Sequence, residues 1–345
     1  MKRVVIIGGG FTGSRAAIIL EKQFKVTLID EKEYFEFTPS VLRLIAEPQY
    51  FKKIRVRHKD YLKKSDIIKG KVIEIDKKRV KTSNKSINYD YLIIASGSHY
   101  GIDVLGDKFC CAGDGENILK AQKKLNQAKN IIIVGGGLVG VELAGEIITT
   151  KKINLVHAKD RILERNHRKT TKIAENFLKK NKVDIIYNSR VMLNNTRKIL
   201  TDKNQELKGD IVFICTGIRP NYDFMKKNLS EHLSKRNSIM INENLQLKGI
   251  KNIFSGGDVN DIKEEKTAQA AIEQGRIIAH NIIRLEKNLP LKKYECKKRP
   301  LIISLGKYNS IFEYKSFVFS GFIAAFLKYL VEKKSLFPYT IRKYL

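Results

Sequence analysis

"IIIVGGGLVGVELAGEI", residues 131–147, places three glycines where a strand-like apolar run turns into a helix, and "VVIIGGGFTGSRAAIIL", residues 4–20, does the same near the start of the chain. Apolar runs of this kind suit a parallel strand buried on both faces. In a G-x-G-x-x-G turn the first glycine makes the tight bend, the second lets backbone N–H groups approach a pyrophosphate, and the third packs helix against strand. The helix N-terminus adds its partial positive charge at the same place. Gly8, Gly10 and Gly13 meet that spacing in the first loop, and Gly135, Gly137 and Gly140 in the second. Each unit continues into a further strand, Val26–Asp30 in one case and "INLVHA" in the other, a context that a bare tight turn does not need. Two such sites imply two bound dinucleotides, most simply FAD and NAD(P)H, with hydride passing between them.

The rest of the pattern supports an α/β chain. The first unit reads as a strand over Val4–Ile7, a helix over about Ser14–Gln23 and a strand over Val26–Asp30. Residues 67–94 alternate short β-like runs, as an antiparallel excursion that returns to a buried strand. Small and polar residues collect around Gly101–Asn117, where a domain crossing is expected. The second unit has a strand over Ile131–Val134, a helix through Ile148, then "INLVHA", a helix over Lys169–Lys180 and the strand "DIVFICTG". The chain closes its repeat with the strand "IKNIFSGGDV" and a helix over Thr267–Leu285. The expected fold is therefore two Rossmann-like dinucleotide-binding domains, the NAD(P) domain inserted in the FAD domain, with a C-terminal segment beyond. The expected boundaries are 1–103 and 226–288 for the FAD domain, 104–225 for the NAD(P)H domain and 289–345 for the C-terminal region.

Composition narrows the class. With 43% hydrophobic and 30% charged residues in 345, the chain has a globular rather than a disordered profile. No run approaches the ~18–20 apolar residues that span a bilayer, and "MKRVVII" runs straight into a strand without signal-peptide regions. The four cysteines, Cys110, Cys111, Cys215 and Cys296, have no C-x-x-C spacing, which indicates neither a metal site nor a disulfide framework. A net charge of +30 fits a nucleic-acid partner, an anionic membrane surface or a generally basic surface. The lysines are spread from Lys2 to Lys343, so charge alone does not choose among these.

The two units differ at the end of their second strand. Asp30 ends that strand in the first unit, at the offset where a carboxylate receives a ribose diol, with Glu31 as its neighbour. The equivalent strand of the second unit ends "LVHAKDR", with His157 in that place and Lys159 and Arg161 nearby. A neutral histidine still bonds a ribose hydroxyl, and a cation tolerates a 2′-phosphate, so the choice of NADH or NADPH stays open.

At this point the chain resembles the two-dinucleotide-binding-domain flavoproteins. "YDYLIIASGS" is similar to their hinge, with Ala95, Ser96 and Gly97 at the turn; "FICTGIRPN" is similar to the strand that leaves their NAD domain; and "NIFSGGDV" presents Asp258 as their flavin-holding aspartate does. Within that superfamily the chain is similar to type II NADH dehydrogenases, the single-subunit quinone reductases. The segments that carry this are "EYFEFTPSVLRLIAEP", "TAQAAIEQG", which resembles their quinone-site A-Q-x-A-x-Q-x-G, and "ISLG…SGFIAAFLKYL", which resembles their membrane-docking end. The chain departs from the pattern in a shorter C-terminal end, in Glu273 in place of a glutamine, and in His157.

The resemblance implies an FAD set that adds Phe11, Thr12, Thr38, Val72 and Ala268 to the residues already named. It implies an NAD(P)H set that adds Leu138, Val139 and Gly217. Glu142, in the first turn after Gly140, is expected near the nicotinamide and the flavin, where a carboxylate orients the carboxamide or tunes hydride transfer; a plain helix-dipole role is the alternative. Gln269 and Glu273 share a helix face at i and i+4 and, with Gln274, are expected to meet quinone carbonyls or relay protons. Phe319, Phe322, Ile323, Phe326 and Leu330 recur at helical spacing among Lys315, Lys328, Lys333, Lys334, Arg342 and Lys343. That suits a helix lying on an anionic membrane, against the alternatives of a core helix or a homodimer contact. The implied protein is a peripheral, non-pumping NAD(P)H:quinone oxidoreductase on the cytoplasmic face of the cell membrane. Its rivals are a sulfide:quinone reductase that brings Cys111 to Cys296, a soluble NAD(P)H-dependent flavin reductase, and a basic nucleic-acid-binding flavoprotein of the apoptosis-inducing-factor kind.

Overall fold

The computed structural model describes residues 1–100, 108–148, 151–192 and 199–343. Its longer elements are two five-stranded sheets, each wholly parallel, and a three-stranded antiparallel sheet near the C-terminus. The helices, in chain order, are α1 (Phe11–Leu20), α2 (the single turn His58–Tyr61), α3 (Gly115–Gln127), α4 (Leu138–Ile147), α5 (Arg168–Lys180), α6 (Ala268–Glu286) and α7 (Phe322–Ile341).

In the first sheet the order is Ile253–Ser255, Tyr91–Ile94, Arg3–Ile7, Lys25–Asp30 and Asp66–Lys69. In the second it is Phe109–Cys111, Ile211–Ile214, Asn130–Val134, Lys152–Val156 and Val183–Ile186. The second sheet is thus built wholly from residues that lie between two neighbouring strands of the first. The central strands are apolar throughout and buried on both faces, Val4 to Ile7 in one sheet and Ile131 to Val134 in the other. Their register is continuous, with Val4 opposite both Val26 and Tyr91, and Ile131 opposite both Ile153 and Ile211. The two chain crossings run side by side: Ser98–His99 pairs antiparallel with Arg219–Pro220, and Asn221 bonds Ser96 and Gly97. The crossing expected around Gly101–Asn117 lies partly outside the described residues, as does the boundary at 103.

Several local expectations need correction. Helix α1 starts at Phe11 rather than Ser14, because the chain enters it directly from Gly10. Asp66–Lys69 is no part of an antiparallel excursion: it is the edge strand of the first parallel sheet, with Thr27 opposite Asp66. Only the strands within residues 72–88 form the expected meander. Phe317–Gly321 is a strand, with Phe319 opposite Phe312, so Phe319 does not belong to the C-terminal helix. The aromatic spacing there fits both periods, and pairing with the preceding strand decides. Gly321, at φ 113°, then makes the turn into α7.

Both glycine loops are built alike. Gly8 and Gly135 have φ of 95° and 109°, a region open to glycine, and a Cβ on either would strike the carbonyl of the neighbouring strand's end, Ala95 or Cys215. A Cβ on Gly13 would collide with the Gly8 carbonyl, and one on Gly140 with the Gly135 carbonyl. At Gly10 and Gly137, by contrast, a Cβ would meet nothing within 4 Å. The two kinds of glycine should therefore fail differently. Gly13→Ala is expected to lose ~1–3 kcal/mol or more to overpacking, whereas Gly10→Val should leave the apoprotein folded and cost only nucleotide binding. Thermal melts of the two apoproteins, with FAD content measured alongside, check this; equal destabilisation by both would contradict it.

Candidate functional site

Helices α1 and α4 begin at Gly10 and Gly137 without a side-chain cap, whereas α3 and α6 carry one from Asp114 and Thr267. The first N–H groups of α1 and α4 are orphans of their helices, and the space beside Gly10 and Gly137 is open, which is what a pyrophosphate needs. Behind the first loop, Asp30 accepts from Gly9 N and, at 2.6 Å, from Lys32 N. Burial pushes its carboxyl above the ordinary aspartate range, against the pull of those two hydrogen bonds. Glu31 is exposed beside it, and Thr38 is exposed at the first turn of a 3-10 helix. Phe11 is buried edge-on to Phe35 and Phe37, at 5.1 and 5.7 Å. The Thr12 side chain turns away from the loop: its hydroxyl donates to Ala271 O at 2.9 Å and so ties α1 to α6. Val72 and Ala95 are buried, and Ser96 is held by its hydrogen bond to Asn221 O.

In the second loop His157 plays the part that Asp30 plays in the first, since its Nδ1 accepts from Gly136 N at 3.1 Å. That bond places the neutral ring's hydrogen on Nε2, which is buried and has no partner among the described residues. Burial lowers this histidine's pKa, so near neutral pH it offers a donor and no charge. Arg161 is folded onto its own loop, bonding the carbonyls of Glu164 and Asn166, while Lys159 is exposed. Leu138 and Val139 are half-buried in the first turn of α4, and Gly217 is exposed at φ 113° with open space around it.

The crossing segment joins residues of the two halves. Asp258 accepts from Ser98 Oγ at 2.9 Å, so the aspartate after the last strand is tied to the crossing. Burial raises the Tyr100 phenol pKa, and the nearby Cys215, Asp258 and Glu142 add to that effect. Ala268 is half-buried at the first position of α6.

The three residues expected to face an acceptor do not share one surface. Gln274 is buried and fully committed: its Oε1 accepts from Gly257 N and Asn260 Nδ2, both at 2.8 Å, and its Nε2 donates to Glu264 at 2.7 Å. Glu264 also accepts from Tyr294 and Arg299. Gln269 and Glu273 do share one face, and they line a surface groove with Arg276, Lys292, Lys297 and Arg299. Glu273 pairs with Arg276 at 2.6 Å, which holds its carboxyl below the usual range.

Glu142 is held by the C-terminal region. Its Oε1 accepts from Ser304 N at 2.8 Å and from Lys328 Nζ of α7 at 3.1 Å. One turn on, Glu146 accepts from Ser304 Oγ at 2.9 Å, and burial raises its pKa. Gly145 lets the Leu305 backbone come close enough that a Cβ would lie 2.9 Å from Leu305 Cα. Sequence reasoning named Glu142 without these partners, and it passed over Ser14, His58 and Tyr61, which pack behind the first loop. A histidine and a tyrosine three apart among lysines carry no motif by which to find them.

The C-terminal helix has two faces. Ala324, Glu332, Leu336 and Tyr339 are buried, and the Glu332 carboxylate takes hydrogen bonds from Ser40 and Tyr50. On the other side Phe322, Ile323, Phe326, Leu330 and Phe337 are 45% to 68% exposed, and Phe317 of the adjoining strand is 63% exposed. No helix among the described residues is long and apolar enough to cross a membrane. All four cysteines are free, and Cys215 is buried with its pKa pushed up to about 12.

Comparison with known proteins fits this architecture. Apoptosis-inducing factor homolog A of Dictyostelium discoideum is 32% identical over 362 residues, covering 95% of this chain and 88% of its own length. The sulfide:quinone oxidoreductase of Aquifex aeolicus superposes with a TM-score of 0.88 at 22% identity, covering 99% of this chain and 92% of its own. NDH2 of Plasmodium falciparum in complex with NADH gives a TM-score of 0.87 at 15% identity, covering 99% and 97%. The family model described as pyridine nucleotide-disulphide oxidoreductase matches residues 2–275. With two uncapped glycine loops on two parallel sheets, the chain belongs to that family, an oxidoreductase family that uses FAD and NAD(P)H.

Proposed function

We propose that this chain is an FAD-dependent NAD(P)H:quinone oxidoreductase of the type II NADH dehydrogenase kind, working at an anionic membrane surface. The observation that carries the reading is the position of α7. One of its faces reaches the nucleotide helix through Lys328 and Glu142, and the other presents an exposed apolar surface. A lipid quinone dissolved in a bilayer needs both an entrance at the surface and a short path to the reducing site.

In this reading the first loop and Asp30 hold the FAD, and the second loop and His157 hold NAD(P)H. Bound FAD supplies the two-electron relay between nicotinamide and quinone. The chain's own residues do the rest. Glu142 and Lys328 fix the distance between the nucleotide helix and the C-terminal helix. Gln274 and Glu264 hold the loop that carries Asp258. Gln269 and Glu273 line the groove beside α6, where hydrogen-bonding groups serve an acceptor. Sulfide chemistry is disfavoured by the thiols: burial raises the pKa of Cys110, Cys111, Cys215 and Cys296 alike, and a thiolate nucleophile needs the opposite. The net charge of +30 keeps nucleic-acid binding as the rival to test, by salt-dependent binding to duplex DNA.

Anaerobic addition of NADH or NADPH to the yellow protein should bleach the flavin, and a soluble quinone should restore the colour. Bleaching without reoxidation by any quinone would remove the acceptor from this reading. The membrane part has its own test. Each large side chain buried from water contributes about 1.5–3 kcal/mol, and each nearby cation on the order of 1 kcal/mol at an anionic surface. The triple substitution Phe322→Ser, Phe326→Ser, Leu330→Ser changes only exposed positions. It should abolish sedimentation with vesicles rich in phosphatidylglycerol while leaving the flavin bleachable; unchanged sedimentation would assign this face to something else. Deleting the whole tail is a poorer test, because α7 packs on the first domain through Tyr339 and Glu332.

The raised pKa of Asp30 gives a pH dependence. A carboxylate that must be ionised to receive a ribose diol loses that ability as pH falls through its pKa. FAD retention should therefore weaken on acidification starting above the ordinary aspartate value near 3.8. Titrating released flavin by fluorescence checks this, and Asp30→Asn should bind more weakly and lose the acid-side dependence.

A further inference from the structure

The single turn α2 lies behind the first glycine loop, and no nucleotide motif calls for it. His58 and Tyr61 are both completely buried. The Tyr61 hydroxyl lies 2.6 Å from His58 Nδ1 and 2.6 Å from Ser14 Oγ, and Ser14 Oγ lies 2.6 Å from Gly9 O. Counting hydrogens orders this chain. The Gly9 carbonyl only accepts, so Ser14 donates to it. The Ser14–Tyr61 contact then takes the Tyr61 hydrogen, and the Tyr61–His58 contact takes the hydrogen on His58 Nδ1. Burial brings the His58 pKa down to about 4, so near neutrality the ring is uncharged and Nε2 is a lone pair. That atom has no hydrogen-bond partner among the described residues, and it lies 4.0 Å from Asp30 Oδ2 beside Gly9. The chain therefore bonds the loop carbonyl at one end and stops 4.0 Å from the Asp30 carboxylate at the other.

The far side of Tyr61 is held by the end of α7. Tyr339, 2% exposed, stands edge-on to Tyr61 at 5.0 Å and 81°, and it stacks on Phe35 at 4.1 Å. Phe35 in turn meets Phe11, the first residue of α1. Arg342 donates to Tyr61 O at 2.9 Å and pairs with the buried carboxylate of Glu21. Residues near position 340 thus set the position of a hydroxyl that is two hydrogen bonds from the pyrophosphate loop.

We propose that the C-terminal helix is a retention element of the FAD site: Tyr339 and Arg342 seat Tyr61, whose hydroxyl keeps the loop formed before the cofactor arrives. Tyr61, Tyr339 and Arg342 are positioning residues, since they act on the loop through Ser14 and His58. A loop left free to relax must be ordered at the expense of binding energy, so loosening the end of α7 weakens FAD binding. The NAD(P)H loop, on the other sheet, is unaffected. The proposal rests on the first loop being the FAD site, and Gly10→Val examines that separately.

Tyr61→Phe keeps the ring against Tyr339 and deletes only the hydroxyl. The Kd for FAD, from fluorescence quenching of flavin added to apoprotein, should rise about tenfold, the scale of one buried hydrogen bond. Tyr339→Leu and Arg342→Met should raise it as well, with NADH affinity unchanged in all three. A merely structural role would lower the melting temperature of the apoprotein and leave the Kd alone. A second measurement needs no variant: FAD added to wild-type apoprotein should slow amide exchange in residues 333–343 together with residues 4–20. Protection confined to the loop, or wild-type FAD affinity in folded Tyr61→Phe and Tyr339→Leu, would overturn the proposal. Full flavin retention by Gly10→Val would overturn it too, by removing the site assignment beneath it.

Discussion

The Gly8 carbonyl rests against the α-carbon of Gly13, and the Gly135 carbonyl against that of Gly140, leaving room in each case for no side chain. This approach brings the start of a helix onto the end of a parallel strand, and most of the molecule is arranged around it. It leaves Gly10 and Gly137 open and their helix N-termini uncapped. It also directs the next strands so that Asp30 and His157 each reach back to the amide of the loop's second residue, Gly9 or Gly136. One steric rule, used twice, produces two nucleotide cradles. The difference between them, a carboxylate in one and a neutral imidazole in the other, is a difference in charge on the same scaffold.

Much of this was legible in the chain because it is local. Three glycines between an apolar run and a helix specify their own turn, and the buried strands read as uninterrupted Val and Ile. The failures are non-local or ambiguous. Phe317 to Phe326 satisfies both a strand and a helix period, and only the pairing of Phe312 with Phe319 separates them. Glu142 stood out, but its partners Ser304 and Lys328 lie 162 and 186 residues away. Gln274 follows Gln269 and Glu273 in the same motif, yet burial turns its amide inward to Gly257, Asn260 and Glu264. His58 and Tyr61 have no sequence signature, because a buried polar pair is recognised by its partners.

The C-terminal region therefore does more than extend two nucleotide domains. Its antiparallel sheet grips α4 through Ser304, and α7 crosses from the second domain's helix to the first domain's loop: Lys328 on Glu142, Glu332 on Ser40 and Tyr50, Tyr339 on Phe35 and Tyr61, Arg342 on Glu21. These contacts occupy one side of the helix. The other is left to Phe322, Ile323, Phe326, Leu330 and Phe337, a composition that a soluble monomer gains nothing by exposing.

The central claim is that this uncovered face brings the reducing site to a quinone held in a bilayer. The most direct measurement is NADH-driven reduction of two quinones with one head group, one short-tailed and one long-tailed, with and without vesicles rich in phosphatidylglycerol. The expected result is that vesicles accelerate the long-tailed reaction, that the acceleration fades as salt screens the basic surface, and that the short-tailed rate is unmoved. Equal rates for both quinones, indifferent to vesicles and to salt, would contradict the account.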